Sequence, residues 1–370
     1  MSVSRLRKLL RSAGWGILAR PDVTFNRLLN SHELARRAER LRSDPSKVEV
    51  EITNRCNLRC THCIRSKQGF EARLGDISPE AFDAILRQLP RTLTLTLTGF
   101  GEMLLHPRFL DLLRVARRRL PHANILGYTN GLLIGRTVSA EELVRSGLGQ
   151  VHFSLDAATA ETYEQVRASP HFDRVLENIR AVIEARRRLG SPRPFVGINF
   201  TMMNENFREA PDYVRLGAEL GVDYIARPAL ILTYWGYEDG AREIRRGELA
   251  EVLVRARQVA EELRAPLALG DYMLDPHAYF ASYERHRADF FRQCFFFWNH
   301  IQIDPFGNLK LCCLHPAASI HSWGNLLETP FREVWNSEGL RAARRAVREG
   351  RVPLPPCAET CVRPDPTLAD

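Results

Sequence analysis

The chain has 370 residues, 45% of them hydrophobic and 26% charged, enough to bury a large core and to form more than one domain. Lys and Arg outnumber Asp and Glu by 52 to 44, leaving a net charge of +8 carried mostly by arginine. No run of about 18 apolar residues could span a bilayer, and the basic start MSVSRLRKLLRSAGWGILARP lacks the apolar run and small-residue cleavage site of a secretory signal, so a cytoplasmic protein is expected.

Residues 1–46 read as an N-terminal extension of helices and turns that ends at the breaker SDPSK. Residues 1–20 also admit an amphipathic helix lying on an anionic membrane surface or a partner. The arginine runs RRAERLR, RVARRRL, EARRRLG and RAARRAVREG fall on helical patterns and read as solvated faces; no nucleic-acid motif accompanies them, and no nucleic-acid partner is expected. From residue 47 to 265, short β-rich runs alternate with amphipathic helices. The runs are VEVEI (48–52), TLTLTLTG (92–99), ANILGYT (123–129), VHFSLD (151–156), FVGINFTM (195–202) and DYIARP (223–228). Between them lie patterns such as PEAFDAILRQL and FDRVLENIRAVIEARRRLG. Six strand–helix repeats predict an α/β fold with a parallel sheet, either a partial barrel or a doubly wound sheet, with ligands at the C-terminal strand ends. Polar residues gather there: Cys56 after the first strand, GFGE after the second, TNG after the third, SLD at the fourth. A helix over 248–264 closes this region. Residues 266–370 then change character, with a hairpin in HIQIDPFGNLKLCC turning at Pro305, Gly307 and Asn308 and a proline-rich tail, PLPPCAETCVRPDP.

Eight cysteines in a reducing compartment point to metal ligation rather than disulfides, and they form two groups. Cys56, Cys60 and Cys63 lie in ITNRCNLRCTHCI; Cys294, Cys312, Cys313, Cys357 and Cys361 come late. The spacing C-x3-C-x2-C suits structural zinc poorly, since zinc takes four ligands, usually as two close pairs. Three thiolates around one cubane cluster leave one iron open to an exogenous ligand.

ITNRCNLRCTHC resembles the signature of the radical S-adenosylmethionine (SAM) enzymes. The resemblance implies a 4Fe-4S cluster on Cys56, Cys60 and Cys63 whose free iron chelates SAM. Reductive cleavage then yields a 5′-deoxyadenosyl radical that abstracts hydrogen from substrate. It carries further residues. GFGE is similar to the family's GGE segment, which implies that Gly101 and Glu102, and less directly Gly99, hold the SAM ammonium group. Ser154 of SLDA matches a position that bonds the SAM ribose or carboxylate. Arg167 of YEQVRAS resembles the arginine that pairs with the SAM carboxylate, its alternative being a solvent-facing helix position. Asn130 of TNG either faces the site or makes the turn, and His62 either neighbours the adenine or packs in the loop. Asn199 and Thr201 share one strand face and are candidate cavity residues.

The late cysteines, with their flanking text, resemble the twitch domain, the shortened relative of the SPASM domain. This implies a second 4Fe-4S cluster on Cys294, Cys312, Cys357 and Cys361. Cys313 is left spare as a buried thiol or a hydrogen donor, and a four-cysteine zinc is the competing reading. The fold so implied is a partial (β/α)6 barrel with a small C-terminal α+β cysteine-rich domain. The first reading of function is oxidation of an alcohol on a small polar substrate, a sugar or aminocyclitol. Flavodoxin or ferredoxin would be the electron donor, with Tyr237 and Glu238, or their neighbours Tyr234 and Asp239, as acid–base groups. The alternatives are a maturase acting on a ribosomal peptide and a redox-neutral epimerase.

Overall fold

A computed structural model describes residues 20–66, 73–226, 229–230, 244–283, 285, 290–311, 321–358 and 368–369. Its elements, in chain order, begin with helix α1 (Pro21–Ala35), followed by strand β1 (Lys47–Val50), α2 (Pro79–Arg87), β2 (Thr94–Leu97), α3 (Phe109–Arg119) and β3 (Asn124–Thr129). Next come α4 (Ala140–Arg145), β4 (Gln150–Ser154), α5 (Ala160–Arg167), α6 (Phe172–Arg188), β5 (Phe195–Asn199), α7 (Ala210–Leu220) and β6 (Tyr224–Ile225). The chain continues through α8 (Arg246–Glu262), β7 (His300–Ile303), β8 (Leu309–Lys310) and α9 (Glu338–Arg348).

Helices α2, α4, α5 and α9 each start at a serine or threonine whose side chain caps the first turn. The Ser78 hydroxyl accepts the Ala81 N–H at 3.1 Å to open α2, and Ser139 with Glu142 forms a reciprocal capping box at α4. Period-two alternation in the strands sends Val48, Val50, Leu95, Leu97, Ile125, Val151, Phe153, Val196 and Ile198 into a solvent-free layer under the helices. Burying each contributes roughly 1.5–3 kcal/mol. Their alternates, among them Glu49, Thr96, Tyr128, His152 and Asn199, face the other side of the sheet and are polar.

The strands from β1 to β6 run parallel in the order β1-β2-β3-β4-β5-β6, the partial barrel expected. The sheet does not stop at the C-terminal region. β7 adds to β1 in parallel, Lys47 facing His300 and Val50 facing Ile303, and β8 closes the edge as the antiparallel arm of the predicted hairpin. The Asp304 carboxylate accepts the Phe306 and Asn308 N–H groups, both at 2.9 Å, to make that turn.

Two expectations need correction. RRAERLR is not helical: α1 ends at Ala35 and Arg37 adopts the left-handed conformation, with φ of 50°. Nor are all arginine runs solvated, because Arg344 of α9 is fully buried. Both departures have one cause, the docking of residues 20–46 against the C-terminal region. Arg37 donates to the Arg292 and Cys294 carbonyls at 2.8 and 2.7 Å and lies 5.0 Å over the Trp298 ring. Arg344 donates to the carbonyls of Phe297 and Glu39 at 2.7 and 3.0 Å. Asn30 donates to the Trp298 carbonyl at 2.7 Å, and the Trp298 indole N–H to the Ala38 carbonyl at 2.8 Å. Among the described residues, no helix is long and apolar enough to cross a membrane.

Candidate active site

The loop after β1 carries Cys56, Cys60 and Cys63, and backbone and side-chain bonds tie it down on several sides. Asn54 exchanges bonds with Arg73 and Gly75, its amide donating to the Arg73 carbonyl at 2.7 Å and its oxygen accepting the Gly75 N–H at 2.8 Å. Thr61 donates its N–H to the Val166 carbonyl at 3.1 Å, joining the loop to the end of α5. The Glu102 N–H donates to the Arg55 carbonyl at 2.7 Å, joining it to the GFGE turn. Gly101 makes that approach possible: a Cβ there would stand 2.0 Å from the Thr53 carbonyl oxygen and 2.9 Å from that of Arg55.

The Glu102 carboxylate is buried, 3% exposed, and already engaged. It accepts the Thr129 hydroxyl and the Asn130 N–H, each at 2.7 Å, and the Leu104 N–H at 3.1 Å. Burial raises its pKa against those bonds, which favour the charged form. Asn130 in turn donates to Asn57 of the cysteine loop at 2.8 Å and accepts the Leu132 N–H at 3.0 Å, so it makes the turn and braces the loop together. Glu102 and Asn130 therefore hold the second and third strand ends around the cysteines.

Arg167 is buried, not solvent-facing, and donates to Asp156 at 2.9 Å. Burial works against its charge, but Cys60 and Asp156 outweigh it and hold the guanidinium cationic. Its Nε is buried with no hydrogen-bond partner. Asp156, which sequence reading passed over in favour of Ser154, has φ of 59° and anchors more than Arg167. Its carboxylate accepts the Thr201 N–H at 2.7 Å, its carbonyl accepts from Asn206 at 2.8 Å, and His62 Nε2 lies 3.8 Å away. Strand alternation from His152 through Ser154 puts Asp156 on the same face, the signal that would have found it. Ser154 itself is half-buried at the end of β4, level with Asn199 of β5.

Below that level one cross-strand row runs Tyr128, His152, Gly197, Tyr224. The His152 ring sits 5.2 and 5.4 Å from the two tyrosine rings and contacts the Asn199 amide oxygen at 3.3 Å. Desolvation lowers the His152 pKa, which keeps the ring neutral. This row was not anticipated either. Tyr234, Tyr237, Glu238 and Asp239 lie outside the described residues.

The donor set fits a thiolate-bound cluster with an open iron. Three cysteines share one braced loop, the Cys56 sulfur accepts the Leu58 N–H at 3.5 Å, and Arg167 Nε is buried without a hydrogen-bond partner. Burial pushes the Cys60 thiol up to about 11, with Arg167 pulling the other way, so loading the site must release protons. Among the described residues no three His, Cys, Asp or Glu side chains converge on a single metal ion.

Of the late cysteines, Cys294 and Cys357 are described, whereas Cys312, Cys313 and Cys361 lie outside the described residues. Cys294 and Cys357 are close enough that the charge of one raises the other, burial being the larger cause of the Cys357 thiol's rise to about 11. Burial raises the Cys294 pKa as well, against the N–H groups of Phe296 and Phe297, which favour its thiolate. Because Cys294 precedes the start of β7 and Cys56 follows the end of its parallel neighbour β1, these two cysteines lie toward opposite ends of the strand pair.

The Radical SAM superfamily profile matches residues 50–217, and the SPASM iron-sulfur cluster-binding domain matches residues 294–362. A tungsten-containing aldehyde ferredoxin oxidoreductase cofactor-modifying protein of Pyrococcus furiosus is 30% identical over 183 residues, 47% of this chain and 48% of its own length. The chain thus spans about half the length of that relative. A PqqA peptide cyclase of Gluconobacter oxydans is 25% identical over 302 residues, 80% of this chain and 78% of its own. The structure of Streptococcus suis SuiB bound to S-adenosylmethionine superposes with a TM-score of 0.66 at 18% identity, over 86% of this chain and 71% of that one. SuiB has also been solved bound to its precursor peptide SuiA. At that identity the likeness is one of fold.

Proposed function

The chain is a radical SAM protein with a C-terminal SPASM-like iron–sulfur domain, and on that premise we propose that it is a maturase abstracting hydrogen from carbon in a ribosomal peptide. One observation carries the choice: the alignment with a PqqA peptide cyclase runs through 80% of this chain and 78% of the relative, a far longer stretch than the radical SAM match over residues 50–217. The fold shared with SuiB, a protein that binds a precursor peptide, supports the same reading. The sugar or aminocyclitol alcohol that sequence suggested first has no such support and yields to the alternative.

In this reading Cys56, Cys60 and Cys63 hold a 4Fe-4S cluster that, with SAM, supplies hydrogen-atom abstraction. The protein's own residues bind and orient. Gly101 brings the turn backbone against the cysteine loop, Arg167 offers its free Nε to the SAM carboxylate, and Asp156 keeps that guanidinium aimed. Glu102, Asn130 and Asn57 keep the loop closed, while Ser154 and His62 line the approach. Cys294, Cys312, Cys357 and Cys361 would hold a second cluster, which with four protein ligands would serve electron transfer rather than substrate binding. A cytoplasmic flavodoxin or ferredoxin supplies the reducing electron.

The test incubates the reconstituted protein with SAM, dithionite and short peptides encoded beside its gene, or with aminocyclitols. A peptide that stimulates 5′-deoxyadenosine release and changes in mass is the expected result. Stimulation by aminocyclitols and by no peptide would overturn the reading.

A further inference from the structure

Glu51 extends β1 by one residue, and its N–H donates to the Ile303 carbonyl of β7 at 2.9 Å. Its side chain runs the other way, toward the GFGE turn, where the carboxylate accepts the Phe100 N–H. The turn is shaped around it. A Cβ on Gly99 would lie 2.4 Å from Glu51 Cγ and Oε1 and 2.5 Å from Cδ, and these are its three nearest atoms. Gly99 is thus a glycine because a carboxylate occupies the space of its side chain.

The carboxylate also faces the C-terminal hairpin. Register puts Val50 opposite Ile303 and Gln302 opposite Lys310, and Lys310 Nζ lies 3.3 Å from Asp304. Burial pushes the Glu51 acid up to about 7; the Phe100 N–H and Lys310 favour its charge and Asp304 opposes it.

We infer that Glu51 is the positioning residue of the GFGE turn: it fixes the backbone that meets the SAM ammonium group and ties that turn to the cluster-bearing hairpin. The inference rests on the reading of GFGE as part of the SAM site.

The experiment measures equilibrium SAM binding by the reconstituted full chain, native and in four variants. Glu51→Gln keeps an acceptor of the same length and binds SAM nearly as the native protein does. Glu51→Ala strands a buried N–H and weakens binding by about tenfold. Gly99→Ala drives a methyl into the carboxylate and weakens it similarly. Glu51→Ala/Gly99→Ala is no weaker than the worse single variant, because both changes break the same contact. If Glu51→Ala loses its cluster, Glu51→Asp, too short to reach Phe100, takes its place in the series. Native-like binding by Glu51→Ala or Glu51→Asp, or losses that multiply in the double variant, would overturn the inference. Failure of the native protein to bind SAM would instead remove the site reading on which the inference stands.

Discussion

The buried pair of Arg167 and Asp156 shows what the site residues do for each other. Neither charge has water to fall back on, so removing one strands the other, typically at a cost of about 3–5 kcal/mol. Arg167→Ala should therefore lower the unfolding free energy by an amount in that range, seen as a lower urea midpoint, and abolish SAM binding. Arg167→Lys keeps the charge but not the planar fork, and should recover part of the stability and little of the binding. An unchanged midpoint in the alanine variant would contradict the pairing. At this scale sequence named the three early cysteines by their spacing, Glu102 and Arg167 by their resemblance to family segments, and Asn130 by its turn after a strand. It did not name their partners. Asp156, Asn57, Glu51 and His152 reach their contacts across strands, and single-chain spacing carries no record of which strands lie side by side.

Secondary structure was legible wherever burial and periodicity agreed. The alternating runs became strands to within a few residues, and α2, α6 and α8 keep close to the helical patterns of the sequence. The segment RRAERLR failed because helix propensity is a weak preference against specific tertiary bonds. Arg37, Glu39 and Leu41 each place backbone or side-chain groups on the C-terminal region, Leu41 through Asn336 at 2.8 and 3.0 Å. Asp44 continues the seam with Arg91 at 2.6 Å and with Arg332. Residues 20–46 therefore behave as a strap over the segment that carries Cys294. Arg37→Ala removes two charge-assisted bonds to the carbonyls of Arg292 and Cys294, worth roughly 1.5–3 kcal/mol each. The expected outcome is a lower urea midpoint and faster iron loss from the late cysteines on chelator challenge, with the early site unaffected. Equal loss from both sites, or none, would contradict a local clamp.

On the scale of the molecule, one sheet runs through both halves. The C-terminal hairpin was visible in its Pro-Phe-Gly-Asn turn, but its docking as a further parallel strand beside β1 was not. That docking puts Cys56 beyond the C-terminal end of β1 and Cys294 ahead of the N-terminal end of its parallel neighbour β7. Such an arrangement suits two separately held clusters serving one substrate space, and independence of the two sites is its central claim. Iron and sulfide per chain after anaerobic reconstitution, in the native protein and in the Cys56/Cys60/Cys63→Ala variant, test it most directly. About eight irons falling to about four is the result expected for two four-iron clusters. About four falling to none would contradict it and leave the late cysteines without a cluster.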